Sequence, residues 1–511
     1  MEAYCQFTND SQSGWKAKLM PKTTNHRRVV KNDPFYKTGA IRIIEWIIPF
    51  IIFCSSMVFA GYVGGAVIDP KAVEINAILV SVLSVCFGVW WYLQPSPRQF
   101  FWHSLLFVPW VLWLVLDYYL ISPEPLLASV HMAAWFQGAV LFAVVVHMGR
   151  SRTLLVRTFV AVFAVATLLA MSGASQVTMR QGWIPGGFSQ LDWVVGKASG
   201  AFLQPSHFAA MLMLLLPVCI SIAAIRSFDV GLRVVAWVLS FLFSAALVFS
   251  FDVPSIWIML ATLVILPLML APNRIGRFRA WLVGAGCVLL LAVLLGMPSR
   301  STRESYSRQM SVADPVTWAR SQGIAWDLFK AHSFVGAGYG ASAQPLIGEL
   351  PLEVNPDTVD ARGEYLQVLS SHGIASLFLF VPFVWCLFLG WRKWAELPFH
   401  KVSRNAAFRD LPHNLHGGSA SVVRNSHEKH VGHHRVPTTK VLLGGVVVGL
   451  TMFAVSMIFS SSFQSAALIY LFLFMIAALV VLVQPQAVSL QNAYAGVGGL
   501  SVGILLAGLI F

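Results

Sequence analysis

The residues of this chain best suited to chemistry are arginines in its polar stretches: Arg180, Arg300, Arg303, Arg308, Arg320 and Arg362. A guanidinium stays charged and can grip two phosphate oxygens at once. It therefore suits a diphosphate ligand better than the few lysines nearby, Lys71, Lys197 and Lys330. Two residues beyond Arg362 stands Glu364, which can be read as the proton acceptor for a reacting hydroxyl or as a helix-start acid paired with Arg362. His207, at the outer end of an apolar run, is either a second base or a polar tip reaching for the membrane surface. Asp252, in the turn Ser250-Phe251-Asp252-Val253-Pro254-Ser255, can contact hydroxyls or an arginine. His372 falls inside an apolar run about two turns below its end, which reads as a packed polar residue of a helix. The spacing His427-x-x-His430-x-x-His433 could hold a metal, but its surroundings of Gly, Ser, Asn and Arg read as a solvated loop.

The elements that must position these residues are membrane helices. The chain has 511 residues, of which 57% are hydrophobic and only 11% charged, with a mean hydropathy of +0.71. A soluble protein of this size does not manage with so little charge. Runs long enough to cross a bilayer lie near 43–66, 74–94, 100–121, 125–147, 153–172, 205–225, 232–251, 254–272, 280–298, 367–390, 441–462, 465–484 and 495–511. The last is short and glycine-rich, so the count is about twelve or thirteen. Five cysteines lie in such runs and Cys5 lies in a basic tail, so no disulfide is implied.

The net charge of +13 sits mostly in short loops beside these runs, which makes it a topology signal rather than a nucleic-acid footprint. Arg98, then Arg150, Arg152 and Arg157, then Arg226 and Arg233, then Arg274, Arg277 and Arg279 mark alternate connections as cytoplasmic. The connections between them carry Asp69 and Glu74, then Asp117 and Glu124, then two long polar loops, 172–204 and 299–366, which therefore face outside. The expected organisation is a basic cytoplasmic tail over 1–42, transmembrane helices over 43–298 and an extracytoplasmic loop over 299–366. A tenth helix over 367–390, a cytoplasmic His-rich loop over 391–440 and C-terminal helices over 441–511 follow. No P-loop, GxSxG, HExxH, dinucleotide fingerprint or DxD-type nucleotide-sugar signature stands in a fitting context.

One stretch combines order and spacing: Arg320…Trp326, then Gly336-Ala337-Gly338, then Glu364-Tyr365-Leu366-Gln367 and Gly373. It resembles the O-antigen ligase and polymerase family of bacterial membrane glycosyltransferases. Arg362 stands where that family usually has histidine, Gly363 where it has asparagine and Ser376 where it has a second helix glycine. The stretch Gly200-Ala201-Phe202-Leu203-Gln204-Pro205-Ser206-His207-Phe208-Ala209 is similar to a second family pattern, with Gln204 and Ser206 replacing two asparagines. Asp252 replaces an arginine that relatives use on phosphate. The resemblance implies an all-α, polytopic inner-membrane enzyme with a cytoplasmic N-terminus. It would transfer a glycan from undecaprenyl diphosphate to an acceptor sugar by direct, inverting, metal-independent displacement and need no cofactor. By the same resemblance Glu364, Arg362 and His207 are the catalytic candidates. Arg320, Arg180, Arg300, Arg303, Arg308, Asp252 and Tyr365 would bind substrate. Polymerisation of a surface polysaccharide is the leading expectation, with ligation to lipid A core or protein as the alternative. A transporter and a non-catalytic glycan-binding subunit are the readings of another class.

Overall fold

A computed structural model describes residues 35–61, 70–93, 99–100, 102–148, 152–179, 183–184, 188–189, 197–202, 204–225, 228–270, 315–339, 363–397, 438–460, 463, 465–483 and 488–489. The chain is an all-α polytopic membrane protein. Its described helices are α1 (Phe35–Gly61), α2 (Pro70–Leu93), α3 (Val108–Leu120), α4 (Pro125–Met148), α5 (Arg152–Met179), α6 (Pro205–Ala224) and α7 (Val230–Phe249). They continue with α8 (Val253–Leu270), α9 (Pro315–Ala331), α10 (Glu364–His372), α11 (Leu377–Glu396), α12 (Thr438–Ser456) and α13 (Ala466–Val483). Among the described residues nine helical segments are long and apolar enough to cross a membrane, with α10 and α11 counted as one. The expected runs at 280–298 and 495–511, the His-rich segment beyond 397 and most of the N-terminal tail lie outside the described residues.

Burial sorts the helices. α6 and α13 are apolar on all sides and almost wholly buried, which marks them as the centre of the bundle. α7 and α11 instead carry exposed stripes, Val234, Trp237, Val238 and Phe241 on one and Val381, Val384, Trp385 and Phe388 on the other. Such stripes at helical spacing are lipid-facing surface. α12 packs on α6 through Gly445 and Gly449, four residues apart. A Cβ at Gly445 would meet the Ser221 hydroxyl oxygen at 2.4 Å, and one at Gly449 the Leu214 carbonyl oxygen at 2.5 Å. Only glycine allows that backbone approach.

This contact also fixes direction. Gly445 lies against Pro217 and Ser221 and Gly449 against Leu214, so α12 runs antiparallel to α6 and its Met457 end reaches the Pro205 end of α6. Three further bonds join connections at that same end. The Ala198 N–H donates to Phe249 O at 2.8 Å, the Glu364 N–H to Met457 O at 2.8 Å, and the Ser122 hydroxyl to Tyr339 O at 3.1 Å. The loops expected on one side of the membrane thus meet at one end of the bundle. At the other end Lys440 donates to Leu397 O, and two-residue strands β1 (Gln99–Phe100) and β4 (Val488–Ser489) pair antiparallel. A second ladder, β2 (Trp183–Ile184) with β3 (Phe188–Ser189), lies in the connection after α5.

Two expectations change. Asp117, assigned with Glu124 to a connection, lies on the last turn of α3 and is 1% exposed. The helix expected over 367–390 starts at Glu364, breaks at Gly373 and resumes as α11 after a single 3-10 turn, Gly373–Ser376. α11 has 20 residues, and at about 1.5 Å per residue it covers a hydrocarbon core by itself. His372 is the last residue of α10 and stands at this break.

Candidate active site

The glycine-rich segment after α9 is the clamp that builds the site. It lies across the break between α10 and α11. The Ala337 N–H donates to Ser370 O at 3.0 Å, the Gly338 N–H to Ser371 O at 2.9 Å and the Ile374 N–H to Ser333 O at 2.8 Å. Gly336 and Gly373 make the crossing feasible, with φ of 81° and 58°. A Cβ on Gly336 would stand 2.2 Å from Ser371 O, and one on Gly373 would stand 2.6 Å from Gly336 N. Both positions combine left-handed backbone with backbone-to-backbone contact, so no L side chain fits either.

The clamp delivers Tyr339 over a buried polar cluster. Its ring stacks on His131 of α4 at 4.0 Å and 18°, and stands nearly parallel to His372 at 6.4 Å and 20°. His372 Nδ1 is 3.6 Å from Asp117 Oδ2, and both side chains are 2% exposed. That distance is too long for a good hydrogen bond. The Tyr339 backbone N–H donates to the Asp117 carboxylate. Trp110 meets His372 edge-on at 5.0 Å and Trp135 at 5.7 Å. The Trp135 Nε1–H donates to His131 Nε2 at 3.1 Å, so in the neutral imidazole the hydrogen sits on Nδ1. Asp117 Oδ1, His372 Nδ1, His131 Nδ1, Ser371 Oγ and Trp110 Nε1 are buried with no hydrogen-bond partner among the described residues. Among the described residues no group of three metal-ligating side chains converges.

The residues singled out from sequence divide into two groups at this end of the bundle. Glu364 opens α10 and is 2% exposed, and its Oε2 accepts the Phe463 backbone N–H at 2.8 Å. With the Glu364 N–H on Met457 O, the residue ties α10 to the connection between α12 and α13 from both its side chain and its backbone. The Tyr365 hydroxyl donates to Ala454 O at 2.8 Å, and its ring packs on Phe380. The second group surrounds the start of α6. His207 is fully buried in the first turn of α6 rather than reaching for the surface. Gln176 on α5 accepts from the Ser199 and Gly200 N–H groups, each at 3.0 Å, and donates to Gly200 O at 2.6 Å, which pins the connection ahead of α6.

Asp252 caps α8 in this second group. Phe251, at φ 56°, turns the chain so that Asp252 Oδ2 accepts the Ser255 N–H at 3.2 Å. Burial pushes the Asp252 carboxyl above its ordinary pKa, against the lowering effect of its bonds from Ser255. Lys197, next to the Ala198 whose N–H binds Phe249 O, is buried, and burial pushes its amine down to about 8. Arg320 lies on α9, with its side chain outside the described residues. Arg180, Arg300, Arg303, Arg308 and Arg362 lie outside them altogether.

Comparison with known protein families and with characterised proteins returned no match.

Asp117, His131 and Tyr339 were not candidates from sequence, and His372 was read as packing. A signal was present: ionisable side chains in membrane-length apolar helices are expensive and usually functional. Asp117 was hidden because it stands close to Glu124 and to the end of its run. His372 was hidden because Gly373-Ile374-Ala375-Ser376 continues the hydropathy of the helix while breaking its geometry.

Proposed function

We propose that this chain is a membrane glycosyltransferase of the lipid-linked-glycan type. It moves a glycan from undecaprenyl diphosphate to an acceptor sugar at the outer face of the bacterial inner membrane. Chain polymerisation of a surface polysaccharide or exopolysaccharide is the leading outcome, and ligation to lipid A core or protein is the alternative. The observation that carries this reading is the assembly of residues 315–339 with 363–376. The helix bearing Arg320, the Gly336–Gly338 clamp, the Glu364-Tyr365 helix start and the Gly373 break form one packed unit over a buried carboxylate and two imidazoles. The elements whose order resembles the ligase and polymerase stretch are thus neighbours in space as well as in sequence.

In this reading Arg320, Arg362, Arg180, Arg300, Arg303 and Arg308 hold the diphosphate. They oppose the charge that grows on it as the sugar departs, by direct and metal-independent displacement. Asp252 and Tyr365 flank the substrate. The cytoplasmic N-terminus follows from the lysine and arginine bias of the short connections. A cysteine placed at residue 310 is then labelled by an impermeant thiol reagent from outside, and one at residue 420 is not.

Cells lacking the protein test the function. Single repeat units left on lipid indicate a missing polymerase, and full-length polymer left on its carrier indicates a missing ligase. Unchanged glycan in both pools contradicts the proposal. The transporter reading is favoured by a specific observation, the ionisable Asp117, His131 and His372 within membrane-length helices. Proteoliposomes separate the two. A transporter moves labelled glycan lipid across the bilayer without forming a glycosidic bond.

A further inference from the structure

We infer that His372, flanked by Asp117 and covered by Tyr339, is the proton acceptor of the transfer, and that segment 332–339 is a cover that lifts to admit the acceptor sugar. This rests on the glycosyltransferase reading and assigns a role within it.

The pair has the construction of an oriented base. A carboxylate beside one ring nitrogen fixes the imidazole and steadies the cation it becomes. Asp117 on α3 stands beside that nitrogen, its Oδ2 3.6 Å from His372 Nδ1, close enough to steady the cation though too far to hydrogen-bond the neutral ring. The titratable groups facing His372 are Asp117 from α3, His131 from α4 and Tyr339 from the cover. Glu364, the base expected from sequence, has its carboxylate against the Phe463 N–H instead.

The surroundings point to a polar ligand with flat apolar faces. Buried polar atoms in native proteins are paired in roughly nine cases of ten, because an unpaired one costs about 1–3 kcal/mol. Here the described partners leave Asp117 Oδ1, His131 Nδ1, Ser371 Oγ and Trp110 Nε1 unpaired around His372. These are acceptors and donors in one place, walled by the rings of Trp110 and Tyr339. A sugar presents hydroxyls at its edges and C–H faces to aromatic rings, which is the complementary pattern.

The cover is built to move. Its hold on α10 and the 3-10 turn comes through backbone hydrogen bonds from Ala337, Gly338 and Ile374. Of its large side chains Phe334 and Val335 are 77% and 44% exposed, and Tyr339 ties it to α4 through the stack on His131. A segment with few buried apolar contacts belongs to the low-stability end of a protein and opens locally.

The step balances without a further reactant. The acceptor hydroxyl gives its proton to the His372 imidazole, and its oxygen bonds to the anomeric carbon of the donor sugar. The bond from that carbon to the diphosphate oxygen breaks, and its electron pair leaves with the diphosphate. The imidazolium beside Asp117 then loses its proton to water.

The test uses the full chain in proteoliposomes with undecaprenyl-diphosphate glycan and an acceptor sugar, with rates taken per folded molecule. His372→Gln is expected to lower kcat on the order of a hundredfold or more and to leave donor affinity within about threefold. Asp117→Asn, which keeps the carboxylate's shape, is expected to lower kcat roughly tenfold to a hundredfold with the same unchanged affinity. It carries the test if His372→Gln proves unstable. A kcat within twofold of wild type in either folded variant, or loss of donor affinity in step with kcat, overturns the assignment. No transfer by the wild-type chain from any lipid-linked glycan overturns the glycosyltransferase reading itself, before any variant is compared.

Discussion

Two buried polar clusters share helix α4, and they are built on opposite plans. The deeper one centres on Gln137. Asn76 donates to its side-chain oxygen at 2.5 Å and to the Tyr470 hydroxyl, Tyr470 donates to the same Gln137 oxygen at 2.7 Å, and Ser55 donates to Asn76. Four helices, α1, α2, α4 and α13, are joined by these neutral groups, and no side-chain atom of Ser55, Asn76, Gln137 or Tyr470 is left buried without a partner. The other cluster lies nearer the end of α4, at His131, and combines ionisable groups with unpaired atoms. A closed neutral network in apolar surroundings specifies which helices pack together. An open ionisable one costs stability and persists where function requires it.

The contrast predicts opposite phenotypes. Asn76→Leu removes the hub of the closed network and leaves Tyr470 and Gln137 with fewer partners. Interhelical hydrogen bonds in membranes are worth about 0.6–1.7 kcal/mol each, and stranded buried groups cost more, so a total loss of about 2–4 kcal/mol is expected. Thermal unfolding in detergent measures it. Transfer per folded molecule should stay near wild type, the reverse of Asp117→Asn. A stable but inactive Asn76→Leu variant would break the division between the clusters.

A smaller effect is expected at Glu364. Its carboxylate accepts the Phe463 N–H, and an amide oxygen can accept the same bond without the charge. Glu364→Gln should cost about 1 kcal/mol, the difference between a charge-assisted and a neutral hydrogen bond. Turnover per folded molecule should remain within about twofold. A loss of turnover at unchanged stability would return the role of base to Glu364, as the sequence suggested, and remove it from His372.

The architecture was legible because apolar runs of membrane length are the strongest signal a sequence carries, and because the arginine bias alternates along the loops. The Gly336–Gly338 segment was legible for a similar reason, since dense glycine in a polar stretch announces close backbone contact. What was not legible is what those glycines do. Pairing Asp117 with His372 requires a helix break at Gly373, a clamp lying on Ser370 and Ser371, and a turn at Ser122 brought under Tyr339. Each is a tertiary contact between distant parts of the chain, and hydropathy along one helix contains none of them. Glu364 shows the converse. Its place at a helix start was one of two readings open from the sequence, but its partner Phe463 could come only from the fold.

Lys197 lies in neither cluster, and it tests whether the second group at this end of the bundle is as dry as the first. The residue is 7% exposed, beside Ala198, whose N–H is bound to Phe249 O. Burial lowers its amine from 10.5 to about 8, because the charged form loses hydration. In the unfolded chain the amine titrates near its ordinary value, about 10.4. Between about 8 and that value the unfolded chain therefore holds a proton that the folded chain has released. Stability rises with pH wherever the unfolded state binds more protons, so this residue's contribution improves across that window and is flat below it. Lys197→Met keeps an unbranched side chain and removes the titration. At pH 7.5 the variant should be the more stable protein, and by pH 9.5 its advantage should shrink by about 1–2 kcal/mol. Paired thermal melts at the two pH values measure the change. An advantage that does not shrink would mean that the amine keeps its proton in the folded chain through a compensating partner. Lys197 would then be a buried charged group, and a place to look for contact with the diphosphate.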